Sequence, residues 1–567
     1  MQDLLRSASG MVDYLQRQVA LQQGARVPVA PEQAAKSRFH FSSRYADRMV
    51  GRHNGLANVY CRHWSTLLAL MLAQARLAGG PVRMREVEKR LRDPRPFLDP
   101  RSREALEQAY LRLKQNAPVT LIDNRYWPVF LGEAFAALER GDFGASGEAV
   151  YLLESVNHTM LVQLRLKRTG EDKRYGVNFF DPNLTTIHAH AGTGDLDQAD
   201  WSLRAMLGTS YGRYFPPGRE IAAAIDVTRP FDRPGISRPT SQAAFHLVGD
   251  HDMLFNPTLH YQAASSWPDS CANALLQLAC DLPLDMDCPP LHEAMLTSLR
   301  SPIHEDGNAL DMAAYLGQTG TLGTALAALA GNGVTPEELL LARDSKQLSL
   351  LHCAVMQDDS RTVRLLIDYA LDDDEEGEET LAAMMTGDCN GLTPLHHAVA
   401  RGRLEHYRML RDAIEMSVPE LRFLYAERTN RNQSVFHLAV KSGNRDLLRE
   451  LLHDLFSGTP DHENWLALAE RLHAPDAHGN TVMHLAAAGG DPGMVTLLAG
   501  LVASWPAPMR ELAWRKWTVP NDRGHTPHEV AIATAGRARG GIQAFRARET
   551  GERLAREESE LREARVA

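Results

Sequence analysis

One short pattern returns six times in the C-terminal half of this 567-residue chain, and it restricts the possible folds more than any other feature. Ser349-Leu350-Leu351-His352-Cys353-Ala354-Val355 is followed by Thr393-Pro394-Leu395-His396-His397-Ala398-Val399. Then come Ser434-Val435-Phe436-His437-Leu438-Ala439-Val440 and Thr481-Val482-Met483-His484-Leu485-Ala486-Ala487. Asn308-Ala309-Leu310-Asp311-Met312-Ala313-Ala314 and Thr526-Pro527-His528-Glu529-Val530-Ala531 are weaker copies. One such unit cannot bury its own apolar face, so the copies must stack on one another.

Each copy resembles the T-P-L-H-x-A-A opening of an ankyrin repeat. That resemblance implies an all-α solenoid whose histidines are structural and whose concave face grips another protein. Gly402 and Gly443 stand where a helix-ending glycine is expected. The spacing departs from the ankyrin period of ~33: from His352 to His396 is 44 residues, then 41 to His437 and 47 to His484. Longer helices or inserted loops, such as acidic Asp372 to Glu379, are expected to take up the excess. The Arg- and Glu-rich run from Arg537 to Ala567 reads as a solvated helix or a frayed tail.

Composition narrows the function classes. Hydrophobic residues make up 44% and charged residues 23%, as in a globular protein, and the net charge of −10 argues against a nucleic-acid binder. Six cysteines, Cys61, Cys271, Cys280, Cys288, Cys353 and Cys389, show no C-x-x-C spacing and are too few for a disulfide scaffold. A reducing compartment and no metal or cofactor are expected. Residues 1–30 show no secretory signal peptide, and no stretch approaches the ~20 apolar residues of a membrane span.

Cys61 is the candidate nucleophile. It lies in Asn54-Gly55-Leu56-Ala57-Asn58-Val59-Tyr60-Cys61-Arg62-His63-Trp64-Ser65, just before the apolar run Leu67 to Ala73, which reads as a buried helix. With Asn58 as cap, Cys61 falls in the first turn, where the helix dipole favours a thiolate. His63 is two residues away and would point to another face, so it reads as a packing residue rather than the base. His188 and His190 have no third ligand nearby and read as ordinary strand or loop residues.

The expected partners lie on a hairpin. Val162, Leu164 and Leu166 alternate with polar residues, as do Tyr175, Val177 and Phe179, with Arg168 to Asp172 as the turn. A two-residue Thr169-Gly170 turn pairs residues whose numbers sum to 339, placing His158 opposite Asp181. A four-residue turn places His158 opposite Asn183 instead. Either partner can accept from the imidazole and fix its tautomer.

Cys, His and Asp in this order resemble the arrangement of papain-like thiol proteases and YopT-like effectors. Val177-Asn178-Phe179-Phe180-Asp181-Pro182-Asn183 is similar to the aromatic-Asp-Pro-Asn segment of such effectors. Together with the C-terminal repeats, the chain resembles the EspL, or Shigella enterotoxin 2-like, family of type III secreted effectors. The resemblance implies an α+β papain-like (YopT-like) cysteine protease domain followed by an all-α ankyrin-repeat solenoid. It implies Cys61 as nucleophile, His158 as base and Asp181 as orienting carboxylate. The Cys61 N–H, with the side-chain amide of Asn58 or Asn54, would form the oxyanion hole.

The expected layout is a secretion or flexible segment over 1–35, the protease domain over 36–265 and a connecting helical segment over 266–301. The repeats would span 302–535 and a charged tail 536–567. The expected partner is a host signalling protein docked on the repeats in the host cell cytoplasm, with a secretion chaperone as a candidate second partner. Two other classes fit the same residues: a glutamine deamidase or other acyl-transfer effector, and a non-enzymatic ankyrin adaptor with Cys61 in its core.

Overall fold

In the computed structural model the described residues are 61–77, 100–143, 147–155, 158–180, 187–191, 202–207, 211–215, 220–228, 245–281, 291–303, 307–331, 334–372, 377–416, 427–456, 470, 472–537 and 541–566. The chain divides into two compact units, Met1–Ile303 and His304–Ala567.

The first unit is mixed α and β. Its described strands form one seven-stranded sheet in the order β5-β4-β3-β2-β6-β1-β7. These are β1 (Val119–Asp123), β2 (Glu148–Ser155), β3 (His158–Thr169), β4 (Asp172–Phe180), β5 (Ile187–Ala191), β6 (Ile221–Asp226) and β7 (Phe245–Val248). All neighbours are antiparallel except β1 with β7. The alternation expected from the sequence is present: Val162, Leu164, Leu166, Tyr175, Val177 and Phe179 are all buried in one core. Helix α3 (Trp127–Arg140) covers that face with Trp127, Phe130, Leu131, Phe135 and Leu138. Helix α1 (Cys61–Leu77) packs against β3, β2 and α2 (Pro100–Asn116).

The hairpin register differs from the two-residue Thr169-Gly170 expectation. Thr169 pairs with Asp172 and Leu161 with Phe180, so numbers sum to 341, not 339. The turn is Gly170-Glu171. Its first residue needs positive φ, and Gly170 supplies it at +62°. The described ladder ends at Leu161↔Phe180, and the sum that set Asp181 opposite His158 does not occur.

The remaining helices of the first unit are α4 (Leu203–Leu207), α5 (Tyr211–Tyr214), α6 (Pro257–Ser266), α7 (Asp269–Cys280) and α8 (Leu291–Arg300). The described residues of the 266–301 segment, expected as a connection, fall in this unit. α6 lies on α7 and α8, and the Trp267 indole donates to Glu154 of β2 at 3.1 Å.

The second unit is an all-α stack whose copies open alike. Ser349, Thr393, Ser434 and Thr481 each donate a backbone N–H to Nδ1 of the histidine three residues on, at 3.1, 3.3, 3.2 and 3.2 Å. Nε2 of His352, His437 and His484 reaches the carbonyls of Leu392, Asn480 and His525 in the following repeat, each at 3.1 Å. A carbonyl only accepts, so Nε2 carries the proton and Nδ1 is left as the acceptor. Each of these imidazoles therefore caps its own helix and ties it to the next repeat. Asn308–Asp311 and Thr526–Glu529 make the corresponding cap with a carboxylate.

Between repeats, five turns share one geometry. Asp344, Asp388, Thr429, Asp476 and Asn521 each accept two backbone N–H groups, from the residues two and four positions on. Successive turns are joined by Cys389 N–H to Lys346 O, Asn430 to Asn390, Ala477 to Arg431 and Asp522 to His478, at 2.8–3.1 Å. The fourth residue of each turn has positive φ, and at Gly479 a Cβ would stand 2.6 Å from the Asp522 carboxylate. Gly402 and Gly443 end their helices in the left-handed region, as their positions predicted.

Among the described residues, part of the extra length is helical: Pro336–Leu340, Gly377–Met384 and Ala507–Thr518 each follow the second helix of a repeat, so part of the acidic run Asp372 to Glu379 begins a helix. The charged end, Gly541–Val566, is helical and packs on Pro527–Arg537 and Pro492–Ala503, burying Ala547, Thr550 and Leu554.

Burial holds His352 down to about 3 and His396 and His437 to about 4, and it lowers His484 as well. In the unfolded chain each would titrate near 6.5. Folded stability from these groups is therefore complete above pH ~6.5 and declines as pH falls toward 4, by ~1.4 kcal/mol per pH unit for each histidine. Hydrogen exchange of Val435–Ser442 and Val482–Gly489, corrected for intrinsic pH dependence, should show lower opening free energies at pH 5 than at pH 7. His437→Gln should weaken the stack at pH 7 and flatten this dependence.

Candidate functional site

The Cys61–Ser65 end of the described α1 meets the start of β3. Cys61 and Ser65 are four residues apart and share a helix face. Both engage one residue of β3: the Thr159 N–H donates to Cys61 Sγ at 3.3 Å, and Ser65 Oγ donates to the Thr159 carbonyl at 2.9 Å. His158 precedes Thr159, is 4% exposed, and closes the β2–β3 ladder opposite Ser155. Its ring stacks on Tyr214 of α5 with centroids 4.2 Å apart and planes 17° apart.

This placement sets the charge state of the thiol. Burial pushes Cys61 upward. The His158 imidazole opposes this through its charge and a hydrogen bond to the thiol, aided by the Thr159 N–H and Arg62, and the net shift is below the ordinary thiol value. Cys271, Cys280 and Cys353 are pushed up instead, by burial. All five described cysteines are free.

The structure thus brings together Cys61 and His158. Asp181, Asn183, Asn58 and Asn54 lie outside the described residues, so the third member and the oxyanion side chain have no geometry here. His63, expected to pack rather than act as base, is buried and bonds Glu107 at 2.9 Å. Glu107 also accepts from Arg62 at 2.8 Å. Burial raises the Glu107 carboxyl, but hydrogen bonds from His63 and Arg62 hold it down at about 2. Thr159, Ser65, Tyr214 and Glu107 escaped the sequence reading. Ser65 alone left a local signal, its i+4 spacing from Cys61. Among the described residues no group of three or more His, Cys, Asp or Glu stands arranged to hold a metal ion. No described helix is long and apolar enough to cross a membrane.

Comparison with known families places both units. Residues 91–214 match the family model for the ShET2 enterotoxin, N-terminal region, and residues 310–420 match that for ankyrin repeats (3 copies). The chain carries an ShET2 enterotoxin-like region and an ankyrin-repeat region. The two matches bear out the resemblance to Shigella enterotoxin 2-like proteins with ankyrin repeats. The ShET2 match includes α2, His158 and Tyr214 and begins beyond Cys61. The ankyrin match ends at residue 420, while the His437 and His484 copies keep the same hydrogen bonds beyond it. No curated protein matches the chain.

The thiolate is the form that alkylates. Because the Cys61 thiol is shifted down, its alkylation by iodoacetamide should persist at pH values where Cys271 and Cys280 no longer react. His158→Ala should move the midpoint for Cys61 to higher pH and slow labelling at pH 7 several-fold. Mass spectrometry of the Cys61 peptide reads both effects.

Proposed function

We propose that the first unit is a cysteine protease with a papain-like arrangement, in which Cys61 is the nucleophile and His158 the general base. The observation that carries this reading is the thiol itself: Cys61 lies on α1, receives the Thr159 N–H, and is shifted toward thiolate mainly by His158. Thiol acyl-transfer chemistry requires a nucleophile and a base within hydrogen-bond reach, and α1 brings the cysteine against the strand that bears the histidine. Asp181 would orient His158, and Asn58 or Asn54 with the Cys61 N–H would hold the oxyanion.

In the proposed reaction His158 takes the Cys61 proton, and the thiolate adds to a peptide carbonyl. The tetrahedral intermediate collapses as His158 protonates the leaving amine, giving a thioester. Water, deprotonated by His158, attacks that thioester, and the acid product leaves as Cys61 regains its proton. The chain acts, on this reading, as a secreted bacterial effector. It is delivered by a type III route into the host cytoplasm, where its repeats dock the protein to be cut.

The deciding experiment compares host lysates treated with wild-type protein and with Cys61→Ala, using proteomics of new peptide termini. Backbone cleavage that depends on Cys61 and on His158 supports a protease. Glutamine-to-glutamate conversion without new termini identifies a deamidase instead, and no change of either kind identifies an adaptor. Asp181→Ala should reduce the rate less than His158→Ala does.

The repeats are tested by truncation. The cut belongs after residue 303, because a cut near 265 would remove Trp267 from Glu154. The shortened chain should still alkylate at Cys61 with the wild-type pH midpoint. It should lose most cleavage of the native target, because its effective concentration at the site falls.

A further inference from the structure

Helix α2 makes two sets of contacts from one face. Glu107, Tyr110 and Lys114 are spaced three and four residues apart, so their side chains form one stripe. Glu107 accepts from Arg62 at 2.8 Å and from His63 at 2.9 Å, the two residues directly after Cys61. Tyr110 donates its hydroxyl to Glu154, and Lys114 Nζ lies 2.9 Å from the other Glu154 oxygen. Trp267 donates to that same oxygen at 3.1 Å. Lys114 and Glu154 are each 2% exposed. Glu154 pairs across the ladder with Thr159, the residue whose N–H meets Cys61 Sγ and whose neighbour is His158.

We propose that this face of α2 is the positioning element of the site, fixing the Cys61 end of α1 through Glu107 and the His158–Thr159 end of the hairpin through Glu154. None of the three α2 residues touches the reacting atoms. What they set is the separation between two elements that approach from distant parts of the sequence, α1 and the β2–β3 ladder. A carboxylate with three donors in a buried site has one low-energy position, and that position dictates where Thr159 stands. The inference rests on Cys61 being the reacting thiol, as proposed above.

The test reads the pH midpoint and rate of Cys61 alkylation in the full chain, with overall folding checked by circular dichroism. The groups acting on the Cys61 charge are His158, the Thr159 N–H and Arg62, and Tyr110 lies within reach. Glu107→Ala separates field from geometry. Removing a negative charge should by field alone move the midpoint to lower pH. Loss of positioning should move it to higher pH, because Sγ leaves His158 and the Thr159 N–H. We expect the upward shift, about half a pH unit or more, with labelling at pH 6.5 slowed at least three-fold. The paired Lys114→Met, Glu154→Gln variant removes one charge of each sign and keeps the side-chain volumes, so its net field change is small and the fold should persist. It should shift the midpoint the same way. Tyr110→Phe removes a single bond to Glu154 without a charge change, serves if the pair fails to fold, and should shift it less.

A downward or absent shift in folded Glu107→Ala, or an unmoved midpoint in the folded pair or in Tyr110→Phe, overturns the proposal. Alkylation of wild-type Cys61 that does not depend on His158 overturns the underlying reading and this inference with it. Dependence on His158 together with unmoved variants overturns this inference alone.

Discussion

A charged carboxylate under a β-sheet survives only if every lone pair facing the interior is met. Glu154 meets this condition with Lys114, Tyr110 and Trp267. The consequences spread outward from it. Tyr110 and Lys114 commit α2 to lie beside β2. Trp267 commits the segment after α6 to close the other side. Lys114 is held down at about 8, first by burial and against the pull of Glu154. Removing either partner leaves an uncompensated buried charge, a loss of about 3–5 kcal/mol in comparable pairs.

The two units solve the problem of ordering helices differently. In the first, a two-dimensional sheet gives each strand two neighbours, and long-range pairs such as Tyr151↔Asp226 lock the topology. In the second, each repeat meets only the ones beside it. The histidine that caps one helix also grips the next repeat, so local helix formation and stacking strengthen together. Such a device trades acid tolerance for cooperativity, because protonating Nδ1 destroys the cap and leaves a buried charge.

The sequence showed what is encoded by local spacing. The T-P-L-H pattern fixes a helix start within four residues, so the repeats and the structural role of their histidines were legible. Alternation from Val162 to Phe179 was legible for the same reason. Of the two hairpin registers the sequence allowed, the pairing follows the one that sums to 341, but through a two-residue Gly170-Glu171 turn, because Gly170 occupies the first turn position, where positive φ is required. The helix at Gly377–Met384 was hidden because its acidic start reads as loop. Cys61 was found from the apolar helix that follows it and His158 from the hairpin pattern, with the family resemblance added to both, and the two lie together. Glu107, Tyr214 and Glu154 were not found, because nothing near them in sequence announces contacts made across the fold. The stack of Tyr214 on His158, for instance, joins positions 56 residues apart.

The edge formed by the five linked turns has a consequence for how this protein can change over time. Each step along that edge is set by one backbone hydrogen bond and one accepting side chain, and it stays the same although the sequence spacing between turns varies from 41 to 47 residues. Length differences are expelled to the segments that follow the second helix of each repeat. The edge behaves as a fixed ruler, and the segments between a second helix and the next turn are free to gain or lose residues. A lineage could thus insert residues after the second helices while the line of turns kept its pitch, and new surface would arise without any repeat losing its place in the stack.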